Sequence, residues 1–219
     1  MAVREIVQYR ENEAVLRKKS QPVKHVTRQV KKLVQDLKDT LNDCADGIGL
    51  AAPQIGVHSR VVVVQLGGEQ DDEGNAREPP PLTALINPQI VEAGDEKKDF
   101  DGCLSFPGLY GETVRPHRLR VTGLDEAGEH FERLFEGFDA VVVHHEIDHL
   151  DGVLFIDHVE SVEDLYQVCE DENGQLVREP VTDSTFPTAC CTKKWSRAHF
   201  NVGCSPAAGE GGKEGFHRH

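Results

Sequence analysis

The chain has 219 residues, 38% of them hydrophobic, and a formal net charge of −14 from 24 basic and 38 acidic side chains. That length suits one sizeable domain with an appendage, and the acidic balance repels phosphate, which argues against nucleic acid or an anionic membrane as partner. No apolar run approaches the roughly 20 residues of a membrane span.

The opening MAVREIVQYRENEAVLRKKSQPV lacks the apolar core of a secretory signal, and its acidic residues argue against a transit peptide. A cytoplasmic location is therefore expected. Thiols stay reduced there, so Cys44, Cys103, Cys169, Cys190, Cys191 and Cys204 read as core fillers, metal ligands or nucleophiles before disulfides.

From Thr27 to Cys44 the apolar residues Val30, Leu33, Val34, Leu37 and Leu41 recur at helical spacing, which predicts an N-terminal surface helix docked by one face. GIGLAAPQIG follows, glycine-rich and mostly apolar. RVVVVQL (Arg60–Leu66) is a β-branched run of buried-strand type, and GGEQDDEGNAREPPP reads as a loop. TALINPQIVEAG and HRLRVTGLDEAGEHFERLFEGF are expected as strands, the second as a hairpin turning at Asp125–Gly128. GFDAVVVHHEIDHLDG switches to helical spacing and stops at Gly152, a C-cap signal. LFIDHV is expected to be extended, and Leu165–Val168 to extend a helix. Beyond Glu170 the chain turns to Glu, Gly, Ser, Thr and Pro with little periodicity, and AAGEGGKEGFHRH is expected to be disordered. The expected organisation is a catalytic domain over residues 1–165 and a C-terminal extension, partly disordered, over 166–219.

VVVHHEIDHLDG holds the chemistry. His145 and His149 stand four apart, on one helix face, with Glu146 beside the first. In this HExxH pattern two imidazoles bind one metal and the glutamate manages a water. His144 and Asp148 form a competing i, i+4 pair about 100° round the helix, but only the first pair places a general base next to a ligand. Val141, Val142 and Val143 run into the motif and argue that the helix is buried, where imidazoles and carboxylates need partners.

A catalytic metal usually takes three protein ligands and keeps one position open. No HExxHxxGxxH continuation is present. Glu170 and Glu172 stand at the distance of a downstream glutamate ligand, in a part of the chain losing ordered character. Cys103, in DFDGCLSFPGLYG, is the better candidate, because its glycines and Pro107 suggest a tight, specified backbone. A free cysteine is otherwise most often a small buried hydrophobe.

Taken in order, GIGLAAPQIG (Gly47–Gly56), GCLSFPG (Gly102–Gly108) and HEIDHLDG (His145–Gly152) resemble the three signature motifs of the peptide deformylases. The opening REIVQYRENEAVLRKKSQPV also resembles that family, and the likeness covers roughly residues 3–160. The resemblance implies an α+β fold, with antiparallel β-sheets packed around a central helix carrying HExxH. It implies one metal ion held by Cys103, His145 and His149, Fe²⁺ by family habit, with Ni²⁺, Co²⁺ or Zn²⁺ as alternatives. Ligand type alone cannot choose among these ions.

The implied reaction is hydrolysis of the N-formyl group of formyl-methionyl nascent peptides, releasing formate. Glu146 would act as general base, and the Gln54 side-chain amide and the Leu104 backbone N–H as oxyanion donors. Gly47 and Gly49 would let substrate backbone approach closely. Ile48, Val141 and Val142 are candidates for the methionine pocket.

Two positions depart from the family pattern, Asp101 where Glu is usual and His144 where Gln is usual; neither is a ligand or the base. His144 is expected to pack or bond behind the helix. Cys190, Cys191, His199 and Cys204 match no zinc spacing. The family resemblance implies a transient ribosome contact, to which the mixed charge of this tail gives no support. The competing readings are an HExxH zinc endopeptidase and a non-catalytic metal-binding protein.

Overall fold

The structure is a computed structural model and describes residues 2–44, 47–67, 80–170 and 176–181. Two helices, α1 (Tyr9–Leu16) and α2 (Arg28–Asp43), precede the strands β1 (Gly49–Ala51), β2 (Val61–Val64), β3 (Thr83–Gly102), β4 (Leu109–Leu124) and β5 (His130–Glu136). Helix α3 (Phe138–Asp151) follows, then β6 (Leu165–Glu170) and β7 (Leu176–Pro180). Among the described residues six strands follow the order β1-β2-β3-β4-β6-β7 in one antiparallel sheet, and β5 joins it off this path by pairing with β4. Strand β4 serves two partners on one side, pairing Leu109–Gly111 with β6 and Arg118–Leu124 with β5. The architecture is α+β.

Strand β2 explains why its sequence shows no alternation. Val61 and Val63 pack into a cluster with Val34, Leu37 and Leu41 of α2, whereas Val62 and Val64 pack with Ala140, Val142, Val143 and Ile147 of α3. A strand covered on both faces reads as a continuous apolar run. A third cluster joins Tyr9 and Leu16 of α1 to Phe106, Leu109, Leu154, Phe155 and Leu165.

Local signals account for the element ends. Thr27 Oγ1 accepts from Val30 N and caps α2. The β4–β5 turn closes with Asp125 Oδ1 accepting from the N–H groups of Ala127 and Glu129, and with Gly128 at φ +88°. Helix α3 ends at Gly152, φ +74°, where any Cβ would run into the carbonyl of Arg17, so both conformation and space demand glycine. Asn87 takes φ +52° at an irregularity in β3 and bonds both the N–H and the carbonyl of Val23.

Three expectations need correcting. LFIDHV is not extended: Phe155–His158 is a 3-10 turn, because Asp157 accepts from Leu154 N and closes the chain locally. Leu165–Val168 is not helical but the start of β6, which pairs with Leu109–Gly111 and brings Tyr166 onto Tyr110. Strand β3 runs on to Gly102, well past the Gly94 at which the sequence suggested a break. Helix α1 had no counterpart in the sequence reading. Most of the loop GGEQDDEGNAREPPP lies outside the described residues.

Candidate metal centre

Helix α3 sets His145 and His149 one turn apart with ring centroids 4.9 Å from each other. Cys103 follows directly after β3, in a turn where Phe106 N donates to Cys103 O. Its Sγ lies 3.2 Å from His149 Nε2, and the ligand atoms of Cys103, His145 and His149 all fall within 4.8 Å of one another. One sulfur and two imidazoles make a donor set suited to a borderline transition metal. His149 is buried, and burial together with the His145 charge holds its pKa well below the usual value, so it stands as a neutral ligand-ready ring.

His145 is oriented from behind. Its Nδ1 lies 2.7 Å from Asp101 Oδ1, which leaves Nε2 for the centre. Asp101 Oδ2 accepts from Thr113 Oγ1 at 2.9 Å and from Arg115 Nε at 2.6 Å. Burial opposes the Asp101 charge, but His145 and Arg115 hold its pKa well below the usual carboxylate range. Asp101 is thus engaged through both of its oxygens.

The chain of contacts continues outward. Arg115, fully buried, places Nη1 2.6 Å from His144 Nδ1 and 2.7 Å from Asp148 Oδ2, and His158 Nε2 meets the same oxygen at 2.9 Å. His144 therefore bonds behind the site. The ligand atoms of His144, Asp148 and His158 also lie within 4.8 Å. Arg115 already supplies the cation there, in contact with two of the three, so this group is satisfied as an ion-pair network.

Glu146 is buried, its Oε2 has no hydrogen-bond partner among the described residues, and burial pushes its carboxyl up to about 7. Gly49 lies directly over it: any Cβ there would run into the Glu146 carboxyl. Gln54 is buried and its side chain is turned back onto the preceding chain, Oε1 accepting from Ala51 N at 2.8 Å. That leaves Nε2 facing Cys103 Sγ at 3.5 Å and Ser105 Oγ at 3.3 Å. Leu104 lies between those two residues, and its side chain lies close to Gly47. Val141 and Val142 are buried on α3, whereas Ile48 is 40% exposed.

The Asp101–Arg115–Asp148 network was not visible in the sequence, although the His144/Asp148 spacing pointed at one end of it. Glu172, Cys190, Cys191, His199 and Cys204 lie outside the described residues, as does the side chain of Glu170.

Comparison with known proteins agrees in one direction. Residues 3–164 match the family described as Polypeptide deformylase. The chain is 40% identical over 162 residues to a peptide deformylase of Carboxydothermus hydrogenoformans, covering 74% of this chain and 97% of that one. It is 43% identical over 163 residues to that of Desulforudis audaxviator, with the same coverage. Among solved structures it resembles the Thermotoga maritima peptide deformylase (TM-score 0.63, 35% identity, 74% of this chain and 100% of that one). It also resembles the Ehrlichia chaffeensis peptide deformylase in complex with actinonin (TM-score 0.64, 35% identity, 74% and 91%). The chain belongs to the polypeptide deformylase family, enzymes that remove the N-formyl group from newly made polypeptides.

Proposed function

We propose that Cys103, His145 and His149 hold one divalent metal ion, Fe²⁺ in the resident form, and that this centre deformylates the N-terminal formyl-methionine of nascent peptides. The observation that carries the reading is the convergence of these three ligand atoms beside a buried Glu146, whose Oε2 has no hydrogen-bond partner among the described residues. Ni²⁺, Co²⁺ and Zn²⁺ suit the same donors, and iron follows from the family resemblance. When bound, the metal supplies Lewis acidity that activates water and polarises the formyl carbonyl.

The chain's own residues do the rest. Glu146 takes a proton from the attacking water and delivers it to the departing amine nitrogen as the C–N bond breaks and formate leaves. Its raised pKa suits both roles. Gln54 Nε2 and the Leu104 N–H donate to the developing oxyanion. Gly47 and Gly49 admit the substrate backbone, and Ile48, Val141 and Val142 line the pocket for the methionine side chain. Helix α3 acts as the central helix of a catalytic unit spanning residues 1–165, and residues 166–219 form an extension to it. The enzyme works in the cytoplasm on formyl-methionyl chains, without binding nucleic acid or membrane. Among the described residues no helix is long and apolar enough to cross a membrane.

The test is formate release from a formyl-Met tripeptide by protein prepared anaerobically with Fe²⁺. Activity is expected to fall at least about 100-fold in Glu146→Gln, with metal content unchanged. Cys103→Ala is expected to lose the metal. Retained metal and activity in that variant would favour an HExxH endopeptidase, and equal activity of wild type and Glu146→Gln would leave a non-catalytic metal-binding protein.

A further inference from the structure

Gln54 and Leu104 sit on different segments, and both are touched by the same tripeptide near the N-terminus. Val7 N donates to Gln54 O at 2.7 Å, and Tyr9 N donates to Ser105 O at 2.9 Å. Between them, Gln8 Nε2 donates to Leu104 O at 3.4 Å and to Ile6 O at 3.2 Å. The attachment is braced by packing: the Tyr9 ring stacks on Phe106 at 4.5 Å, and Val7 packs against the same apolar cluster as Cys103.

We propose that Val7–Tyr9 is a strap that sets the spacing of the two oxyanion donors, with Gln8 as a positioning residue. The proposal rests on the oxyanion roles of Gln54 and Leu104 given above. Two donors from separate segments must converge within a few tenths of an ångström on one developing charge. The strap binds the carbonyl of each donor residue and that of Ser105, so it ties the two segments through their backbones. Gln54's own side chain supplies another tie, through Ser105 Oγ.

The second observation concerns the other end of the Gln8 side chain. Its Oε1 is buried with no hydrogen-bond partner among the described residues. An unpaired buried oxygen is unfavourable, and an apolar side chain of the same size would avoid it. What the amide adds over such a side chain is its two donor bonds, to Ile6 O and to Leu104 O, and the second of them ties the strap to the Leu104 segment.

The test is Gln8→Leu, which keeps the volume and removes the donor, with Gln8→Glu, which sets an acceptor against two carbonyls. Gln8→Leu is expected to lower kcat about threefold, the effect of one neutral hydrogen bond, and Gln8→Glu to lower it further. KM and metal content are expected to stay as in the wild type, and the Tm of Gln8→Leu to stay level or rise. An unchanged kcat, or a loss that tracks a lower Tm or lost metal, overturns the strap. Gln54→Ala, measured alongside, separates the two ideas. If Gln54→Ala keeps full kcat, the oxyanion reading has failed. If it loses kcat while the Gln8 variants do not, only the strap has failed.

Discussion

Asp101 joins His145 to Arg115 with one oxygen for each: Oδ1 lies 2.7 Å from His145 Nδ1, and Oδ2 accepts from Arg115 Nε at 2.6 Å. Asp101→Asn keeps the shape and removes the charge that both neighbours face. Metal affinity is expected to fall about 10- to 100-fold, as when the partner of a ligating histidine is lost. Stability is expected to drop by about 3 kcal/mol because Arg115 remains buried with less compensation. Chelator competition and denaturant melts read the two effects, and an unchanged metal affinity would remove Asp101 from any role in orienting His145.

Gly49→Ala tests the space above Glu146, the proposed general base. A methyl group there meets the Glu146 carboxyl, and the carboxyl must move to admit it. Misplacement by about 1 Å costs catalysis on the order of 100-fold, so kcat/KM for a formyl-Met peptide is expected to fall by at least about tenfold with metal content retained. Wild-type kinetics in this variant would show that the Glu146 position tolerates displacement.

Two glycines with nearly equal φ separate conformation from contact. Gly56, at φ +77°, has open space where a Cβ would go, whereas Gly152, at φ +74°, has the Arg17 carbonyl. Gly56→Ala is expected to cost about 1 kcal/mol, the conformational part alone. Gly152→Ala adds a backbone clash and is expected to cost about 3 kcal/mol. Equal losses in urea unfolding would mean that α1 and its following turn yield freely to α3.

Tyr166 contributes to the alkaline side of stability. Its hydroxyl is buried without a partner among the described residues, and burial pushes the phenol from 10.0 up to about 12. The folded pKa lies above the unfolded one, so this contribution is complete below about 10 and is lost as pH rises through about 12. Tyr166→Phe is expected to leave Tm level or higher at neutral pH and to flatten the decline between those two values. A Tm that falls at neutral pH would point to a partner for the hydroxyl.

Much of this was legible in the sequence where one short stretch carries the whole signal. The helical period of α3, its Gly152 stop and the HExxH spacing are local, and so is the uniform valine run of β2. Cys103 is different: nothing local distinguishes a ligand from a buried thiol, and only the motif resemblance pointed to its place beside His145 and His149. Arg115 was illegible because its partners, Asp101, His144 and Asp148, come from another strand and from α3. A charged residue in VRPHRLRV reads as solvent-facing until the neighbouring elements are placed. LFIDHV and Leu165–Val168 were too short for period to decide, and Asp157 in one case and the edge of β4 in the other made the choice.

The four valines of β2 carry a last consequence. With the same side chain on both faces, sliding the strand by one residue would exchange faces without changing what each face buries, so hydrophobicity leaves the register open. Polar contacts at the two ends must close it. Arg60 N donates to Gln21 O, Arg60 O accepts from Asn87 N, its guanidinium holds Asp151, and Gln65 N donates to Ile48 O. Strand β1 takes its alignment from β2, Gly49 opposite Val64. The placement of a glycine over the Glu146 carboxyl is thus decided by an arginine and a glutamine at the edges of an otherwise featureless strand.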